Sequence, residues 1–206
     1  MASLKLEYLL FDLGNVFVYW NKDSFIEAVI DGLPDENFCT SEYSDPFWLD
    51  LISYESNLEK GHINWAQFCQ AIELRYGWKG CSDTLLTSFQ DIFKPNRELI
   101  DWFTSTHFSA RTILMSNTNI YHWKWISQHY EYLLSKFDHL HLSHEVGFRK
   151  PNQEYYLNCD YKVKWERALF VDDLQQNLLV PRELGAAVHH FLDSRGLWRH
   201  LKRCTF

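Results

Sequence analysis

The stretch Leu6-Glu7-Tyr8-Leu9-Leu10-Phe11-Asp12-Leu13-Gly14-Asn15-Val16 decides the fold of this chain. Its apolar run Leu9-Leu10-Phe11 predicts a strand that is buried on both faces of a parallel sheet. Asp12 follows directly, at the point where the chain leaves the sheet. Because open α/β sheets bind their ligands beyond the carboxyl ends of the strands, Asp12 is a candidate functional residue. Taken alone, it also fits an aspartate that caps the next helix or turn.

The composition predicts a folded protein with a large core. The 206 residues are 46% hydrophobic and 17% aromatic, which suits one domain or a domain with a large insertion. The net charge of −7 argues against broad binding to nucleic acids or anionic membranes, which requires a basic surface. An anionic ligand of this protein therefore needs local cations or a metal ion.

The cysteines and the N-terminus predict a soluble, cytoplasmic protein. The five cysteines are scattered without a CxxC pair, which fits a reducing compartment and shows no zinc-binding spacing. Lys5 and Glu7 interrupt the first apolar stretch, so we expect no signal peptide. No apolar run approaches the roughly 18 residues of a membrane helix.

Residues 21–93 are predicted to be a helical block inserted after the first strand. We find no strand pattern between Asp35 and Phe93, and residues 1–20 and 94–206 are predicted to form the α/β core. The predicted helices begin at Asp23, with Asp23 or Ser24 as the cap, at Asp45-Pro46, after an Asn64 cap and at Asp83.

From Pro95 onward, helices alternate with buried strands, which predicts a parallel sheet with right-handed crossovers. The predicted elements are a helix around Arg97–Thr104, a strand at Arg111–Met115, a long helix through Trp123 and Leu133, a strand at Phe137–Leu142, a helix from Asn152, a strand at Ala168–Val171, a helix to Gly185, a strand at Ala186–Leu192 and a terminal helix.

Polar residues follow four of these strands in the order Asp12, Ser116, Lys150 and Asp172-Asp173. Each has an ordinary alternative explanation, because Ser and Asp often cap helices and Lys is usually solvated. It is improbable that a suitable polar residue follows each of these strands by coincidence. We therefore predict that these side chains meet at one edge of the sheet.

The chemistry of this set indicates phosphoryl transfer. Asp12 can act as a nucleophile that forms an aspartyl-phosphate, and Asp12 with Asp173 would supply carboxylates to Mg²⁺. Ser116 and the amide of Asn117, at a predicted helix N-terminus, would cradle the phosphate. Lys150 would neutralise charge on the nucleophile and on the transferring phosphoryl oxygens.

The sequence resembles the haloacid dehalogenase (HAD)-like hydrolase superfamily over essentially the whole chain. Within it, the sequence is most similar to the branch of bacterial sugar-1-phosphate phosphatases, which shares Asp-Leu-Gly-Asn-Val and Ser-Asn-Thr-Asn. The matching motifs are Phe11-Asp12-Leu13-Gly14-Asn15-Val16, Leu114-Met115-Ser116-Asn117-Thr118-Asn119, Gly147-Phe148-Arg149-Lys150-Pro151 and Phe170-Val171-Asp172-Asp173.

The resemblance implies a Rossmann-like core under a mobile helical cap, to which residues 21–93 correspond. The segment Glu59-Lys60-Gly61-His62-Ile63 resembles the cap loop that faces the substrate. The implied activity is Mg²⁺-dependent hydrolysis of a small phosphorylated metabolite, with Ser116 and Lys150 on the phosphate. The oligomeric state is not implied.

The resemblance also implies a metal site. Asp12 and the carbonyl of Gly14 would be ligands, and Asp173 aligns best with the metal-binding carboxylate. Asp172 would either position these ligands or bind the metal through water.

One position departs from most phosphatases of the superfamily. They carry a second Asp, a general acid and base, where this chain has Gly14, and losing such a group typically costs about 10²–10⁴ in rate. The sugar-1-phosphate branch shares the glycine. We therefore hypothesise a leaving group that needs little protonation, such as a sugar anomeric hydroxyl. Tyr19, Asp23 and His62 are candidate replacements, although each also fits a packing or capping residue.

Two alternative functions stay open at this point. Dehalogenation of 2-haloacids uses the same aspartate without a metal, but the Asp172-Asp173 pair favours a metal and a phosphate. A catalytically inactive phospholigand-binding protein is compatible with the missing acid, whereas the intact set of Asp12, Ser116, Lys150 and Asp173 argues against it. Specificity would lie in the cap, whose aromatic residues either stack on the substrate or fill the core of the cap: Phe47, Trp48, Tyr54 and Trp65.

Overall fold

A computed structural model describes residues 5–34, 46–202 and 204 of the chain. Five parallel strands form one sheet in the order β5-β4-β1-β6-β7, and two further strands form a separate antiparallel pair, β2 with β3. This arrangement confirms the predicted α/β fold class. The strands are β1 (Tyr8–Phe11), β2 (Val18–Trp20), β3 (Phe93–Pro95), β4 (Arg111–Ser116), β5 (His139–Leu142), β6 (Ala168–Asp172) and β7 (Ala187–His190).

Strand β1 lies at the centre of the sheet, where the opening sequence stretch predicts it. Leu9, Leu10 and Phe11 are fully buried, because helices cover both faces of the sheet. Phe11 lies opposite Leu114 of β4 and Val171 of β6. The residues that follow these three strands therefore meet at one edge.

Eleven α-helices lie in the described part of the chain, and none of them is long and apolar enough to cross a lipid bilayer. Two 3-10 turns, at Trp165–Arg167 and Gln175–Leu178, flank β6. The helices are α1 (Asp23–Ile30), α2 (Pro46–Glu59), α3 (Trp65–Tyr76), α4 (Ser82–Gln90), α5 (Arg97–Ser105), α6 (Ile120–His129), α7 (Glu131–Leu134), α8 (Ser143–Val146), α9 (Gln153–Leu157), α10 (Leu179–Glu183) and α11 (Ser194–Leu201).

Helices α1 to α4 pack around a hydrophobic cluster of their own. Phe25, Phe68 and Phe89 are buried at its centre, apart from the cluster around Phe11 and Phe103 that lies against the sheet. The four cap aromatics for which the sequence left two roles open contribute to this cluster, which favours packing over substrate stacking: Phe47, Trp48, Tyr54 and Trp65. Asn64 caps α3 as predicted, through a capping box with Gln67.

The β2–β3 pair stands where the chain enters and leaves the four helices. Val18 lies opposite Pro95, and Trp20 lies opposite Phe93. The prediction of no strand as far as Phe93 is therefore wrong at its last residue. Strands of three residues are too short to show the alternation of buried and exposed residues that marks a strand. Their pairing also joins segments that are distant in the sequence, so sequence patterns did not reveal it.

Several element boundaries differ from the prediction. Lys22 and Cys81 occupy the N-cap positions of α1 and α4 without a side-chain capping bond, so the caps at Asp23 or Ser24 and the start at Asp83 were wrong by about one residue. The predicted long aromatic helix ends at His129, and α7 starts again at Glu131.

The segments between the strands are also more broken than predicted. Helix α8 interrupts what was predicted as a loop, and the helix predicted to reach Gly185 is a 3-10 turn followed by the short α10. Strands β5 and β7 are shorter at their ends than predicted. Asp35, Cys39 and Asp45 lie outside the described residues.

Candidate active site

Asp12 stands at the carboxyl end of β1, in the middle of the sheet edge. Its backbone N–H continues the ladder by donating to Val171 O at 2.9 Å. The residue is 8% exposed, and its Oδ1 accepts a hydrogen bond from Leu13 N at 2.7 Å and faces Lys150 Nζ at 2.9 Å. Both interactions end on Oδ1, so Oδ2 is the oxygen available to a ligand.

Lys150 reaches this edge from the loop after α8. It is 1% exposed, and its Nζ lies between Asp12 Oδ1 at 2.9 Å and Asp172 Oδ2 at 2.6 Å. The side chain of Asn117 fixes the backbone of Lys150 on both sides: Lys150 N donates to Asn117 Oδ1 at 2.8 Å, and Asn117 Nδ2 donates to Lys150 O at 3.0 Å. Sequence patterns could not predict this clamp, because the two residues are 33 positions apart.

Asp172 and Asp173, at the end of β6, face different partners. Asp172 is fully buried, and its Oδ1 accepts hydrogen bonds from Leu174 N and Asn177 Nδ2, each at 2.9 Å. With Lys150 on its Oδ2, Asp172 has both oxygens occupied. Asp173 is partly buried and lines the cleft, and its Oδ2 accepts a hydrogen bond from Asn15 Nδ2 at 3.0 Å.

The turn that carries Asn15 is itself unusual. Asn15 has a φ of 51°, in the left-handed region that Asn tolerates better than most residues other than Gly. This conformation lets the turn after β1 bring an amide to the end of β6. Sequence analysis placed Asn15 in a motif but did not identify its contact with Asp173.

The carboxylates of Asp12, Asp172 and Asp173 form a cluster that fits a hard cation. One oxygen of each lies within 4.8 Å of the others. Three carboxylates around the single ammonium of Lys150 leave an excess of negative charge, and carboxylate oxygens are the ligands that Mg²⁺ prefers. The donor set therefore suits Mg²⁺.

Burial sets the protonation of the cluster. It raises the pKa of Asp12 to about 7, although the charge of Lys150 opposes this shift. Burial disfavours the charge of Lys150, but Asp12 and Asp172 outweigh it and raise the pKa of the ammonium. Burial also raises the pKa of Asp173, and the hydrogen bond from Asn15 partly offsets it. Lys150 is therefore a permanent cation beside a carboxyl group that titrates near neutral pH.

A cleft of about 190 Å³ opens in front of Asp12. Gly14, Ser116, Asn117 and Asp173 line it together with Asp12, whereas Lys150 and Asp172 lie behind its wall. Ser116 ends β4 and is 2% exposed. The cleft thus brings most of the predicted site residues to one surface, and Lys150 contacts Asp12 from the protein side of that surface.

The N-terminus of α6 differs from the predicted phosphate cradle. Its N-cap is Asn119, whose Oδ1 accepts from Tyr121 N and His122 N, each at 3.0 Å. The predicted residue Asn117 lies two positions before this cap. The first amides of the helix are therefore satisfied by Asn119, and Asn117 and Thr118, just before the cap, border the cleft.

His122 also lines the cleft, as a neutral residue that joins two helices. Its Nε2 donates to Phe89 O at 2.8 Å, and its Nδ1 accepts from Asn119 Nδ2 at 3.0 Å. Burial lowers the pKa of His122 to about 3. This histidine therefore holds α6 against α4 and does not titrate near neutral pH.

Two acidic side chains of α2 form the opposite wall of the cleft, each with a basic partner. Glu55 pairs with Lys22, and Glu59 Oε2 lies 2.8 Å from Arg149 Nε. Arg149 Nη1 also donates to Ser56 Oγ at 3.4 Å, so the residue next to Lys150 contacts α2 twice. The predicted acids Tyr19, Asp23 and His62 do not line this cleft. Sequence analysis missed Glu55 and Lys22 entirely, and it included Glu59 and Arg149 only as parts of motifs.

The centre is therefore a lysine buried between two carboxylates at the carboxyl edge of a parallel α/β sheet, an arrangement typical of enzymes that bind ligands at this edge. No family model and no curated protein matches the sequence. Solved structures do match it. A HAD family enzyme from Bacteroides thetaiotaomicron is 25% identical, with a TM-score of 0.78, over 96% of this chain and 98% of that one. The chain belongs to the haloacid dehalogenase-like hydrolase superfamily.

Two further structures show how the similarity decreases. A HAD-like family hydrolase from Porphyromonas gingivalis is 23% identical, with a TM-score of 0.75, over 96% of this chain and 98% of that one. The L-2-haloacid dehalogenase of Xanthobacter autotrophicus is 15% identical, with a TM-score of 0.60, over 96% of this chain and 82% of that one. The Bacteroides enzyme has also been crystallised with magnesium and inorganic phosphate.

Proposed function

We propose that this protein is a Mg²⁺-dependent phosphatase that hydrolyses a small phosphorylated metabolite, such as a sugar phosphate, through a phospho-Asp12 intermediate. The observation that carries this proposal is the meeting of Asp12, Lys150 and Asp173 around one cleft that Ser116 also lines. The magnesium and phosphate complexes of the Bacteroides enzyme support it. The dehalogenase is a more distant neighbour, and its likeness to this chain extends to the fold.

In this proposal, Asp12 Oδ2 attacks phosphorus as the bond to the leaving-group oxygen breaks. Lys150, held by Asn117 and Asp172, keeps Asp12 Oδ1 in place and stabilises its charge. The Ser116 hydroxyl and the Asn117 N–H donate to the phosphoryl oxygens. Water then attacks the phospho-enzyme, which releases inorganic phosphate and restores the Asp12 carboxylate.

The metal site in this proposal is formed by Asp12, Asp173 and the carbonyl of Gly14. Bound there, Mg²⁺ would supply positive charge that neutralises the phosphoryl group. We assign Asp172 a positioning role, because Lys150, Leu174 and Asn177 already occupy both its oxygens.

We also propose that residues 21–93 are a cap domain over a core formed by residues 1–20 and 94–206. The separate hydrophobic cluster of α1 to α4 and the β2–β3 pair at their entry support this division. The ion pair of Glu59 with Arg149 would then join cap to core beside Lys150. Substrate selection would fall to the cap residues that line the cleft.

Glu59 is our proposed source of the proton that Gly14 cannot supply. It lines the same cleft as Asp12, and burial raises its pKa, although Arg149 opposes this shift. Its carboxyl group approaches Arg149 Nε without the alignment of a hydrogen bond, so it can turn toward a ligand. A carboxyl group with a raised pKa is suited to protonating a departing alkoxide.

We expect Glu59→Gln to reduce kcat about 10²–10⁴-fold for esters of poor leaving groups and to affect p-nitrophenyl phosphate little, because nitrophenolate needs no proton. In the native enzyme, kcat for alkyl esters should fall as the pH rises through the pKa of Glu59, because only the protonated acid donates. This decline should be absent in Glu59→Gln. Steady-state assays over a series of leaving groups and pH values measure both effects.

Glu55→Gln is the matched control, because Glu55 lines the same cleft from the same helix. Equal losses on nitrophenyl and alkyl esters would show that Glu59 acts only on binding or folding, and would contradict its role as the acid.

Magnesium affinity should rise with pH. Because the pKa of Asp12 is about 7 without metal, Mg²⁺ competes with a proton for this carboxylate below neutral pH. We expect the apparent affinity to increase roughly tenfold per pH unit below about pH 7 and to level off above it. Magnesium titrations followed by thermal denaturation at several pH values measure this. An affinity that is constant over this range would contradict the assignment of Asp12 as a ligand.

The test of the proposed function is an assay of the purified protein with Mg²⁺ against p-nitrophenyl phosphate and a panel of phosphate esters that includes sugar 1-phosphates. We expect turnover that EDTA abolishes and that Mg²⁺ restores. No turnover on any ester above the background of the Asp12→Asn variant would indicate a phospholigand-binding protein instead.

A further inference from the structure

A second group of metal-binding side chains lies outside the cleft, at the β5 edge of the sheet. His139 and His141 are two residues apart on β5 and so point to the same face. Cys159 follows α9 and meets them there: one donor atom of each of the three residues lies within 4.8 Å of the others. None of the three lines the cleft in front of Asp12.

The hydrogen bonds of His141 prepare it as a ligand. Its Nε2 lies 2.7 Å from the carbonyl oxygen of Tyr155, which can only accept, so Nε2 carries the proton and Nδ1 carries the lone pair. Tyr155 also donates its hydroxyl to His141 O at 2.7 Å, which fixes the strand from the same helix. A backbone carbonyl on the far nitrogen is the usual way in which proteins orient a metal-binding histidine. Burial lowers the pKa of His141, which keeps the ring neutral.

Cys159 and His139 are accessible enough to receive an ion. Both are partly buried, and Cys159 is a free thiol. His139 packs beside the ring of Tyr161 with 5.5 Å between centroids, which restricts its orientation. A tetrahedral Zn²⁺ holds its nitrogen and sulfur ligands about 3.3–3.6 Å apart, so the donor atoms, which lie within 4.8 Å of one another, need to approach by at most about 1.5 Å to bind it.

We propose that His139, His141 and Cys159 form a binding site for a borderline-soft divalent cation, of which Zn²⁺ is the best match. Two imidazoles and a thiolate select such an ion against Mg²⁺, which prefers oxygen ligands. Binding forms a metal–sulfur bond and releases the thiol proton of Cys159 to the solvent, and a water completes four-coordination. No oxidant or reductant is involved.

The site has a structural consequence for the cleft. The chain between His141 and Cys159 contains α8, Lys150 and α9. A cation that joins the two ends of this segment closes the loop that delivers Lys150 to Asp12. It therefore stabilises that loop without contacting a substrate. This proposal is independent of the proposed phosphatase activity.

Cobalt is the probe for the site. The full-length protein is first stripped of metal and then supplied with excess Mg²⁺, which occupies the oxygen ligands of the cleft. We expect this protein to bind one Co²⁺ and to show a thiolate-to-cobalt charge-transfer band in the near ultraviolet. Zn²⁺ should displace the cobalt and remove the band, because Zn²⁺ binds such ligands more tightly. Equilibrium dialysis gives the stoichiometry.

Variants identify the ligands. Cys159→Ser should abolish the band, and His139→Gln, at a partly exposed position, should weaken Co²⁺ binding at least about tenfold. Cys81→Ser is the control at an exposed free cysteine and should leave the band unchanged. Circular dichroism confirms that each variant is folded. A native protein without the band, or a band that persists in folded Cys159→Ser, would overturn the proposal. Cobalt that binds without the band and is displaced by Mg²⁺ would also overturn it, since such cobalt is held by the carboxylates.

Discussion

We expect the Asp12→Asn variant to lose at least about 10⁴ in kcat on every phosphate ester that the native protein hydrolyses, because the amide cannot form the phospho-enzyme. Asparagine keeps the shape of the side chain, and its amide oxygen can still accept from Leu13 N and face Lys150. The variant should therefore fold and still bind phosphate with Mg²⁺. Comparison of kcat with phosphate affinity separates these effects.

A quench of the native enzyme during turnover adds a direct observation. Acid should trap an acid-stable but alkali-labile phosphoryl group on Asp12, which mass spectrometry can locate. Asp83→Asn is the matched control, since Asp83 is exposed in the first turn of α4. Retention of more than a small fraction of the activity by Asp12→Asn would show that Asp12 is not the nucleophile.

The second large effect is expected at Lys150, where stability and activity should fall together. Lys150→Met removes the ammonium that lies between two buried carboxylates, those of Asp12 and Asp172. Breaking a buried ion pair from one side costs about 3–5 kcal/mol, because the remaining charges lose their partner. We expect a loss of this size in the free energy of unfolding and a loss of about 10²–10³ in kcat.

The pH dependence of this loss identifies its cause. Without Lys150, Asp12 takes up a proton more readily in the folded than in the unfolded chain, so the folded variant gains stability as the pH falls. The pKa of Asp12 is about 7 beside Lys150 and rises further without it. The stability difference from the native protein should therefore be largest at alkaline pH, shrink as the pH falls toward about 7, and level off below it, where Asp12 is protonated in both proteins. Urea denaturation at several pH values measures it.

A double variant separates folding from catalysis. Lys150→Met with Asp172→Asn removes one of the two opposed carboxylates and should recover part of the lost stability, but not the activity. Lys94→Met, at an exposed position of β3, is the control. A Lys150→Met variant as stable as the native protein at alkaline pH would contradict the electrostatic role described here.

The sheet, and the edge of it at which the functional side chains meet, follow from local patterns in the sequence. The run Leu9-Leu10-Phe11 is typical of a strand buried on both faces, and such strands in a βαβ chain run parallel. Parallel strands end at a common edge, so the positions of Asp12 and Asp173 followed from their places after two strands. Local patterns were enough to predict this edge, because the burial pattern of a strand is visible in a few consecutive residues and the order of strands and helices sets the strand direction.

The hydrogen-bond and ion-pair partners of these groups depend on how distant segments pack in the folded protein. Glu59 beside Arg149 and the Asn117 clamp on Lys150 join residues that are 90 and 33 positions apart, counted from the numbering. The β2–β3 pair and the cluster of His139, His141 and Cys159 depend in the same way on distant segments. The periodicity of the sequence cannot predict such contacts, because they arise from the packing of whole helices and strands against one another. The sequence therefore determined where the site lies, whereas packing decided that Asp172 holds Lys150 and which acidic side chains face the cleft.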